Sequence, residues 1–329
     1  MRYGKLLFLS AAASVASGWT LLGELPDYEG YPISMELDSI GSTAVVLMEQ
    51  EISDVCYRYE VIVGIDGDFH CSIGDPYPSP LTEVRPFVLS PLSEEDCFDY
   101  SLPIGISHLS ASGDTLWATA LDTLSGDEIE ILRILPSLDG GCYAVLGPSP
   151  GSDLWNLYRL DESGNLLMSN QFQLQGGPVL GLSDMVETRG SGILLTGVTD
   201  SLGMSLYMFL LGFDQDGRDR MRILEGFRFH ASGDIIRLDE RGSIYVAGHT
   251  GYERDDGYFM PPVQSDVFIM KLDSLGKEEW RTVFVQPLEN VPRFMDISGD
   301  GEVVILARSH LEDGSDPDAP LYSLLLYSP

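Results

Sequence analysis

The feature that most constrains this chain is a hairpin phrase that occurs five times: an apolar run, a turn containing glycine, and a core-type side chain four residues further on. The turn glycines are Gly67, Gly113, Gly164, Gly217 and Gly276, at intervals of 46, 51, 53 and 59 residues. The side chains that follow them are Cys71, Trp117, Met168, Met221 and Trp280. Because glycine adopts positive φ at little cost, apolar residues on both arms of such a turn predict a buried β-hairpin.

A second element precedes each hairpin and occurs once more near the end of the chain. It is a short apolar run, mostly bounded by glycine, at 41–48, 86–92, 140–147, 190–197, 242–248 and 301–307. Such runs are typical of inner strands buried on both faces, and a weaker strand precedes each of them. The weakest of these first strands is the one expected somewhere in 78–85.

Each unit is therefore four short antiparallel strands in about fifty residues. Six copies at this period predict an all-β fold, a six-bladed β-propeller in a single domain over residues 19–329. A pair of β-sandwiches is the competing all-β arrangement, but it does not require the same four-strand order six times.

The sixth unit ends at Pro329, one strand short of the pattern. The missing strand should open on tryptophan, as the fifth unit does at Trp280, and Trp19 begins a segment of that description. We therefore expect residues 19–24 to form the outer strand of the blade built from 291–327, which closes the ring. A bare apolar edge there would otherwise be open to pairing with another chain.

Residues 1–18 have the pattern of a secretory signal peptide: a basic start at Arg2 and Lys5, an apolar run, and small residues before Trp19. The run is too short to anchor the chain across a bilayer. We expect a secreted or periplasmic monomer with no stable membrane insertion. The net charge of −32, from 19 basic and 51 acidic residues, repels polyphosphate backbones and excludes nucleic acid as the expected partner.

The segment Ile244–Trp280, with its strand, its Leu-Asp-x-x-Gly turn and its Trp, resembles the repeats of bacterial secreted β-propeller proteins. It is also similar to quinoprotein-like propellers, whose repeats read L-D-x-x-T-G-x-x-x-W. The resemblance covers roughly residues 19–329 and implies an extracytoplasmic propeller. Both groups include binding and scaffold proteins as well as enzymes. Met or Cys replaces Trp in three hairpins, the threonine is absent, and six units replace the eight typical of quinone-dependent dehydrogenases, which argues against a quinone cofactor.

No linear catalytic or metal motif is present. The five histidines lack metal-ligand spacing, and neither a G-x-S-x-G elbow nor a P-loop occurs. Asp214, Asp216 and Asp219 superficially resemble a calcium loop but lack its distal glutamate, so an ordinary turn is favoured. We expect a non-catalytic binding or scaffold module for a protein, peptide or glycan. The alternative is a carbohydrate-active or quinone-dependent enzyme with residues drawn from separate blades.

The expected binding site is the loop 250–264, which is long and joins the second and third strands of its unit. Exposed aromatic side chains next to carboxylates can stack on sugars or grip a peptide, and the acidic groups could hold Ca²⁺; no other cofactor is expected. The alternative is a loop folded over its own blade edge. The candidate residues are Tyr252, Glu253, Asp255, Asp256, Tyr258 and Phe259.

Export makes disulfides possible, and four cysteines allow three pairings. Cys56 opens the third strand of its unit and Cys71 lies in the fourth, so Cys56–Cys71 is the favoured bond; the alternative is that the cysteines stay unbonded. Cys142 begins an inner strand, where we expect a buried thiol that behaves as a small hydrophobe.

Overall fold

The computed structural model describes most of the chain in short ranges. These are residues 19–24, 31–37, 43–52, 55–64, 71–73, 77–78, 87–91, 104–109, 115–120, 131–147, 153–173, 179–201, 205–226, 230–251, 265–285, 289–310 and 321–329. Every regular element within these ranges is a β-strand, and no helix within them is long and apolar enough to cross a membrane.

The strands are short and follow one another along the chain. They are β1 (Trp19–Glu24), β2 (Tyr31–Leu37), β3 (Thr43–Ile52), β4 (Val55–Gly64), β5 (Cys71–Ile73), β6 (Tyr77–Pro78), β7 (Phe87–Pro91), β8 (Ile104–Leu109), β9 (Thr115–Ala120), β10 (Ile131–Pro136), β11 (Cys142–Leu146), β12 (Trp155–Leu160), β13 (Leu166–Phe172), β14 (Val179–Glu187), β15 (Ile193–Ser201), β16 (Ser205–Phe213), β17 (Asp219–Glu225), β18 (His230–Leu238), β19 (Ile244–Gly251), β20 (Ser265–Leu272), β21 (Glu278–Phe284), β22 (Glu289–Ile297), β23 (Val303–His310) and β24 (Leu321–Tyr327).

These strands form six antiparallel sheets, which we number I to VI. Sheet I is β2-β3-β4-β5 with β6 beside β4, and sheet II is β7-β8-β9. Sheets III, IV and V are β10-β11-β12-β13, β14-β15-β16-β17 and β18-β19-β20-β21, and sheet VI is β22-β23-β24-β1. The all-β prediction and the four-strand antiparallel unit are confirmed. The first strand predicted for sheet II, within 78–85, falls almost wholly outside the described residues.

Sheet VI takes its fourth strand from the other end of the chain. Trp19 pairs with Tyr327 and Glu24 pairs with Ser323, with a register shift between Leu21 and Gly23. The predicted pairing of residues 19–24 with the last strand is therefore confirmed. It ties together segments about 300 residues apart.

The hairpin turns explain why the Asp-x-x-Gly phrase repeats. Asp161 Oδ1 accepts the backbone N–H groups of Ser163 and Asn165, and Gly164 follows with φ +82°. Asp214 and Asp273 accept the corresponding pairs of N–H groups in their own turns. The aspartate thus satisfies the turn backbone, and glycine supplies the left-handed residue that closes it.

In sheets II, III and IV, the side chain four residues after the turn glycine packs on the next sheet. A Cβ on Gly164 would lie 2.7 Å from the Trp117 ring, and one on Gly217 would lie 2.7 Å from Met168 Sδ. A Cβ on Gly276 would likewise lie 2.7 Å from Met221 Cε. The repeated apolar position is therefore an inter-sheet contact with the next turn.

Apolar clusters join successive sheets. Sheet II packs on sheet III, III on IV, IV on V, V on VI, and VI on sheet I. The second strands are buried on both faces, as in Cys142–Leu146, where all five residues are buried. In five of the sheets the first strand carries a register shift at the same distance from its turn, at Ile33, Leu132, Ser183, Asp234 and Arg293. A bulge of this kind bends the strand.

Candidate ligand-binding cleft

A cleft of about 420 Å³ opens between sheets IV and V, which we call the IV–V cleft. It lies at the sheet ends that carry the β14–β15, β16–β17 and β18–β19 turns. Its floor is apolar and consists of Leu194, Phe213, Met221, Leu238 and Ile244. Its polar side chains are Thr188, Arg189, Asp214, Arg220, Arg241 and Ser274.

The corresponding space between sheets III and IV is filled by a tyrosine and a cation. Tyr143 on β11 is paired across the strands with Arg159 on β12, and the guanidinium lies 5.4 Å from the ring centroid. Both residues are buried. The Tyr143 hydroxyl donates to the carbonyl oxygen of Ser191, in the turn of sheet IV. This pair closes the seam between the two sheets.

Sheet V has the same kind of cross-strand pair, a tyrosine and a cation. Tyr245 on β19 is paired with Lys271 on β20, and Lys271 Nζ lies 5.3 Å from the ring centroid. The Tyr245 hydroxyl points towards the turn of sheet VI, where a Cβ on Gly301 would lie 3.8 Å from it. In sheet VI the two positions hold Val304 and Leu326, which belong to an apolar cluster with sheet I.

Sheet IV has Leu194 and Gly212 at these two positions. Neither the tyrosine nor the cation is present, so nothing reaches from them to the turn of sheet V. Apart from its chain neighbours, no described residue has an atom within 4 Å of the point where a Cβ on Gly242 would sit. The IV–V cleft therefore exists because one sheet departs from the filling used by its neighbours.

Three arginines border the cleft. Arg220 pairs with Asp214, with Nε and Nη2 at 3.0 Å and 2.8 Å from Oδ2. Arg189 and Arg241 are exposed, and their guanidinium groups make no hydrogen bond or ion pair with any described residue. The N–H of Arg218, together with that of Asp216 and the Arg220 guanidinium, lowers the pKa of the Asp214 carboxyl. The lining thus carries three positive charges and one negative charge that is already paired.

The predicted loop site is anchored at the other end of sheet V. Tyr252, Glu253, Asp255, Asp256, Tyr258 and Phe259 lie outside the described residues, so their role stays a prediction. The loop leaves β19 after Gly251 and re-enters at Ser265 on β20. Because neighbouring strands are antiparallel, these anchor points lie opposite the turns that border the IV–V cleft.

The register does not bring Cys56 and Cys71 together. Cys71 on β5 pairs with Val63 on β4, seven residues along the strand from Cys56. At about 3.3 Å per residue, this separates the two backbone positions by about 23 Å, whereas a disulfide needs Cα atoms within about 7 Å. The first residues of two adjacent antiparallel strands lie at opposite ends of their hairpin, which is why the sequence argument misplaced them.

Cys142 is a free, fully buried thiol, as predicted. Burial, together with the nearby Asp139 carboxylate, raises the pKa of this thiol to about 12. It packs with Ile106, Ala144 and Leu160 in the cluster between sheets II and III.

The Asp214 region is an ordinary turn, as predicted. Asp214 is occupied by two backbone N–H groups and Arg220, Asp216 pairs with Arg218, and Asp219 pairs with Arg222. Among the described residues, no group of three or more His, Cys, Asp or Glu is arranged to hold a metal ion.

A charged cluster crosses the first strands of three successive sheets. Asp184 on β14 lies 2.8 Å from Nη1 of Arg237 on β18 and 3.9 Å from Nη1 of Arg133 on β10. Its Oδ2 also accepts the N–H of Ile236 at 3.1 Å. Because this carboxylate already has two cations and a backbone donor, it fits an inter-sheet tie better than a proton-transfer group.

The chain is similar to known proteins in backbone structure only. No protein-family model matches the chain, and no curated protein matches it by sequence. A member of the DUF4221 family from Bacteroides vulgatus has a TM-score of 0.41 at 11% identity, over 94% of this chain and 98% of that chain. A prolyl endopeptidase structure has a TM-score of 0.39 at 14% identity, over 93% of this chain and 49% of that chain. BBS1N in complex with ARL6DN has a TM-score of 0.35 at 11% identity, over 95% of this chain and 97% of that chain. Likenesses of this size assign no function to the chain.

Proposed function

We propose that this protein is an exported, six-bladed β-propeller that acts as a non-catalytic binding module. The IV–V cleft, opened by the loss of a seam-filling pair, is the observation that carries the proposal. Sheets that share one strand order and pack on each other in chain order are what propeller blades require. The pairing of β1 with β24 in sheet VI supports closure of the ring between these two segments of the chain.

The cleft has the character of a ligand site. Small-molecule sites usually measure about 300–1,000 Å³, with an apolar lining and a few polar groups that fix orientation. The IV–V cleft, at about 420 Å³, has five apolar floor side chains and a charged rim. It is large enough for one side chain of a peptide or one small ligand, and it is formed by turns whose backbones are held by hydrogen bonds.

Binding is favoured over catalysis by the composition of the lining. The described residues of the lining include no His, Cys, Lys or Glu, and the single carboxylate among them, Asp214, is held by its turn and by Arg220. A general base beside Thr188 or Ser274 would be needed to activate either hydroxyl. The ligand we propose is a protein, peptide or glycan group that inserts into the cleft.

The test is to fill the cleft with the pair used by sheet V. The double variant Leu194→Tyr/Gly212→Lys introduces the pair that the neighbouring seam accommodates, and it removes Leu194 Cδ2, which lies 2.9 Å from the point where a Cβ on Gly212 would sit. Met221 Cβ, at 3.1 Å from the same point, must shift by a few tenths of an ångström. Wild type and variant are compared on peptide and glycan arrays, with thermal unfolding as the folding control. Loss of the wild-type binding profile in a folded variant is the expected result. An unchanged profile, or a wild type that binds no array member, would contradict the proposal.

Ring closure is tested separately by removing residues 19–24 from the exported form. The edge of β24 would then be bare, and we expect self-association together with a lower unfolding midpoint. Size-exclusion chromatography and a thermal melt measure both. A monomer with an unchanged midpoint would contradict closure. Export itself predicts a mature protein that lacks residues 1–18, which mass spectrometry of the secreted or periplasmic form can establish.

A further inference from the structure

We infer that the IV–V cleft binds an organic anion: an apolar body that ends in a carboxylate, held by Arg189 and Arg241. This rests on the proposed binding role and names the chemistry of its ligand. The chain has only 19 basic residues against 51 acidic ones, yet three arginines line one cleft.

The repeat provides the internal comparison. The β14–β15 turn holds Arg189 where the equivalent turns of sheets III, V and VI hold Leu138, Glu240 and Gly299. Arg241 stands where those of sheets III, IV and VI hold Asp139, Gly190 and Asp300. Three residues after its turn glycine, β17 has Arg220, whereas β13 has Leu167 and β21 has Glu279. Within the described sheets, the turn architecture thus tolerates neutral or acidic residues at each position, so it does not itself require arginine.

Two of the three guanidiniums are available to a ligand. The Arg220 guanidinium is engaged by Asp214, while the guanidinium groups of Arg189 and Arg241 have no partner among the described residues. They come from turns of different sheets on either side of the opening. Guanidinium groups match the planar, two-oxygen geometry of a carboxylate and bind it through paired N–H donors. A carboxylate at the mouth can therefore be approached from both walls.

The floor requires that the anion carry an apolar part. Leu194, Phe213 and Ile244 form an apolar surface beneath the arginines, and sheet IV has Gly212 where the neighbouring sheets have a cation. An inorganic anion would leave that floor solvated. The overall negative charge of the protein also disfavours a dianion more than a monoanion, because the penalty scales with ligand charge. A single carboxylate on an apolar body fits both constraints.

The experiment uses two matched pairs of probes and isothermal titration calorimetry. N-acetylphenylalanine is compared with N-acetylphenylalaninamide, and octanoate with octan-1-ol, so that each pair differs in the carboxylate alone. We expect each acid to bind at least about tenfold more tightly than its neutral partner. Tighter binding of the amino-acid derivative indicates a peptide C-terminus as the natural source, and tighter binding of octanoate indicates a free aliphatic acid.

Variants assign the effect to the cleft. Arg189→Gln and Arg241→Gln should each weaken binding of the acids by about five- to tenfold and leave the neutral probes unchanged. Arg218→Gln is the matched control, because Arg218 has the same charge on an adjacent turn but pairs with Asp216 outside the cleft. It should change affinity by less than about twofold.

The two proposals fail in different ways. If acids and neutral probes bind equally, and Leu194→Tyr/Gly212→Lys still abolishes both, the carboxylate inference is wrong while the cleft remains the binding site. If the filled variant binds the acids as wild type does, the cleft itself is wrong. If Arg218→Gln weakens binding as much as Arg241→Gln, general electrostatics rather than the arginine pair is responsible, and the inference is overturned. Failure of wild type to bind either acid at millimolar concentration also overturns it.

Discussion

Replacing Gly217 by alanine tests whether the hairpin turns are locked by the preceding sheet. Gly217 has φ +78°, a left-handed conformation that alanine adopts at a cost of about 1–2 kcal/mol. Its missing Cβ would lie 2.7 Å from Met168 Sδ and 3.2 Å from Asn170 Cβ. Asn170 Nδ2 also donates to the Gly217 carbonyl oxygen at 2.7 Å, which limits how far the turn can shift.

At Gly217 the conformational cost of positive φ and the cost of the close contact add, and two other glycines allow them to be measured separately. Overpacking a close contact typically costs about 1–3 kcal/mol, so Gly217→Ala should lower the free energy of unfolding by about 2–5 kcal/mol in total. Gly242 has φ +81° but open space around its Cβ position, so Gly242→Ala should lose only the conformational part, about 1–2 kcal/mol. Gly190 is open and is not left-handed, so Gly190→Ala should be neutral or stabilise by up to about 1 kcal/mol.

Urea unfolding monitored by tryptophan fluorescence gives the three free energies by linear extrapolation. A double-mutant cycle then isolates the contact with Met168: in a Met168→Ala background, the cost of Gly217→Ala should fall towards that of Gly242→Ala, because only the Asn170 Cβ contact at 3.2 Å remains. The reasoning is refuted if the cost is the same in both backgrounds. It is equally refuted if Gly217→Ala and Gly242→Ala differ by less than about 0.5 kcal/mol in the wild-type background.

Three further predictions concern single groups. Asp184→Asn weakens the tie to Arg237 while keeping the size of the side chain, and should lower the free energy of unfolding by about 1–3 kcal/mol in urea; no change would contradict a bridging role. Hydrogen bonds from the Asn165 side chain and from turn N–H groups lower the pKa of Asp161 below that of the unfolded chain. The stability it contributes is therefore complete above about pH 4 and is lost as pH falls through the folded-state pKa, so the deficit of Asp161→Asn in urea midpoints at pH 7 should shrink towards pH 2. Cys142, with its pKa raised to about 12 by burial, should resist iodoacetamide at pH 8 in the native protein and react in urea, as read by peptide mass mapping; labelling of the native protein would show that its seam opens.

The repeated four-strand unit could be predicted because particular residue types form its turns and recur in the sequence at fixed positions. A turn glycine such as Gly276 has positive φ and an Asp before it that binds the turn backbone, and both types recur at the repeat period. The pairing of residues 19–24 with β24 followed from the same count, since the last unit lacked one strand. Local backbone demands of this kind select particular residue types, which makes them readable in a single sequence.

The bulge on the first strands could not be read in the same way. It falls on Leu132, Ser183, Asp234 and Arg293, which share no residue type. A bulge inserts one residue into a strand and can be formed by many residue types. It is therefore visible in the register of the paired strands but not in the amino-acid sequence. The expected Cys56–Cys71 bond failed for a related reason: it depended on which ends of two antiparallel strands adjoin.

The IV–V cleft could not be predicted from the sequence, because it results from the absence in sheet IV of the tyrosine and the cation that sheets III and V have. Leu194 and Gly212 are ordinary residues for a buried strand, and nothing in their own neighbourhood marks them as functional. Their meaning appears only when the register aligns them with Tyr143 and Arg159 in the preceding sheet, where the same two positions close the seam. In a repeat protein, each unit thus serves as a control for the next, and a site is found by asking which unit leaves a shared contact unmade. Arg189 and Arg241 support that conclusion independently, because they add charge at a seam that lacks the tyrosine and the cation of sheets III and V, and no turn geometry requires arginine there.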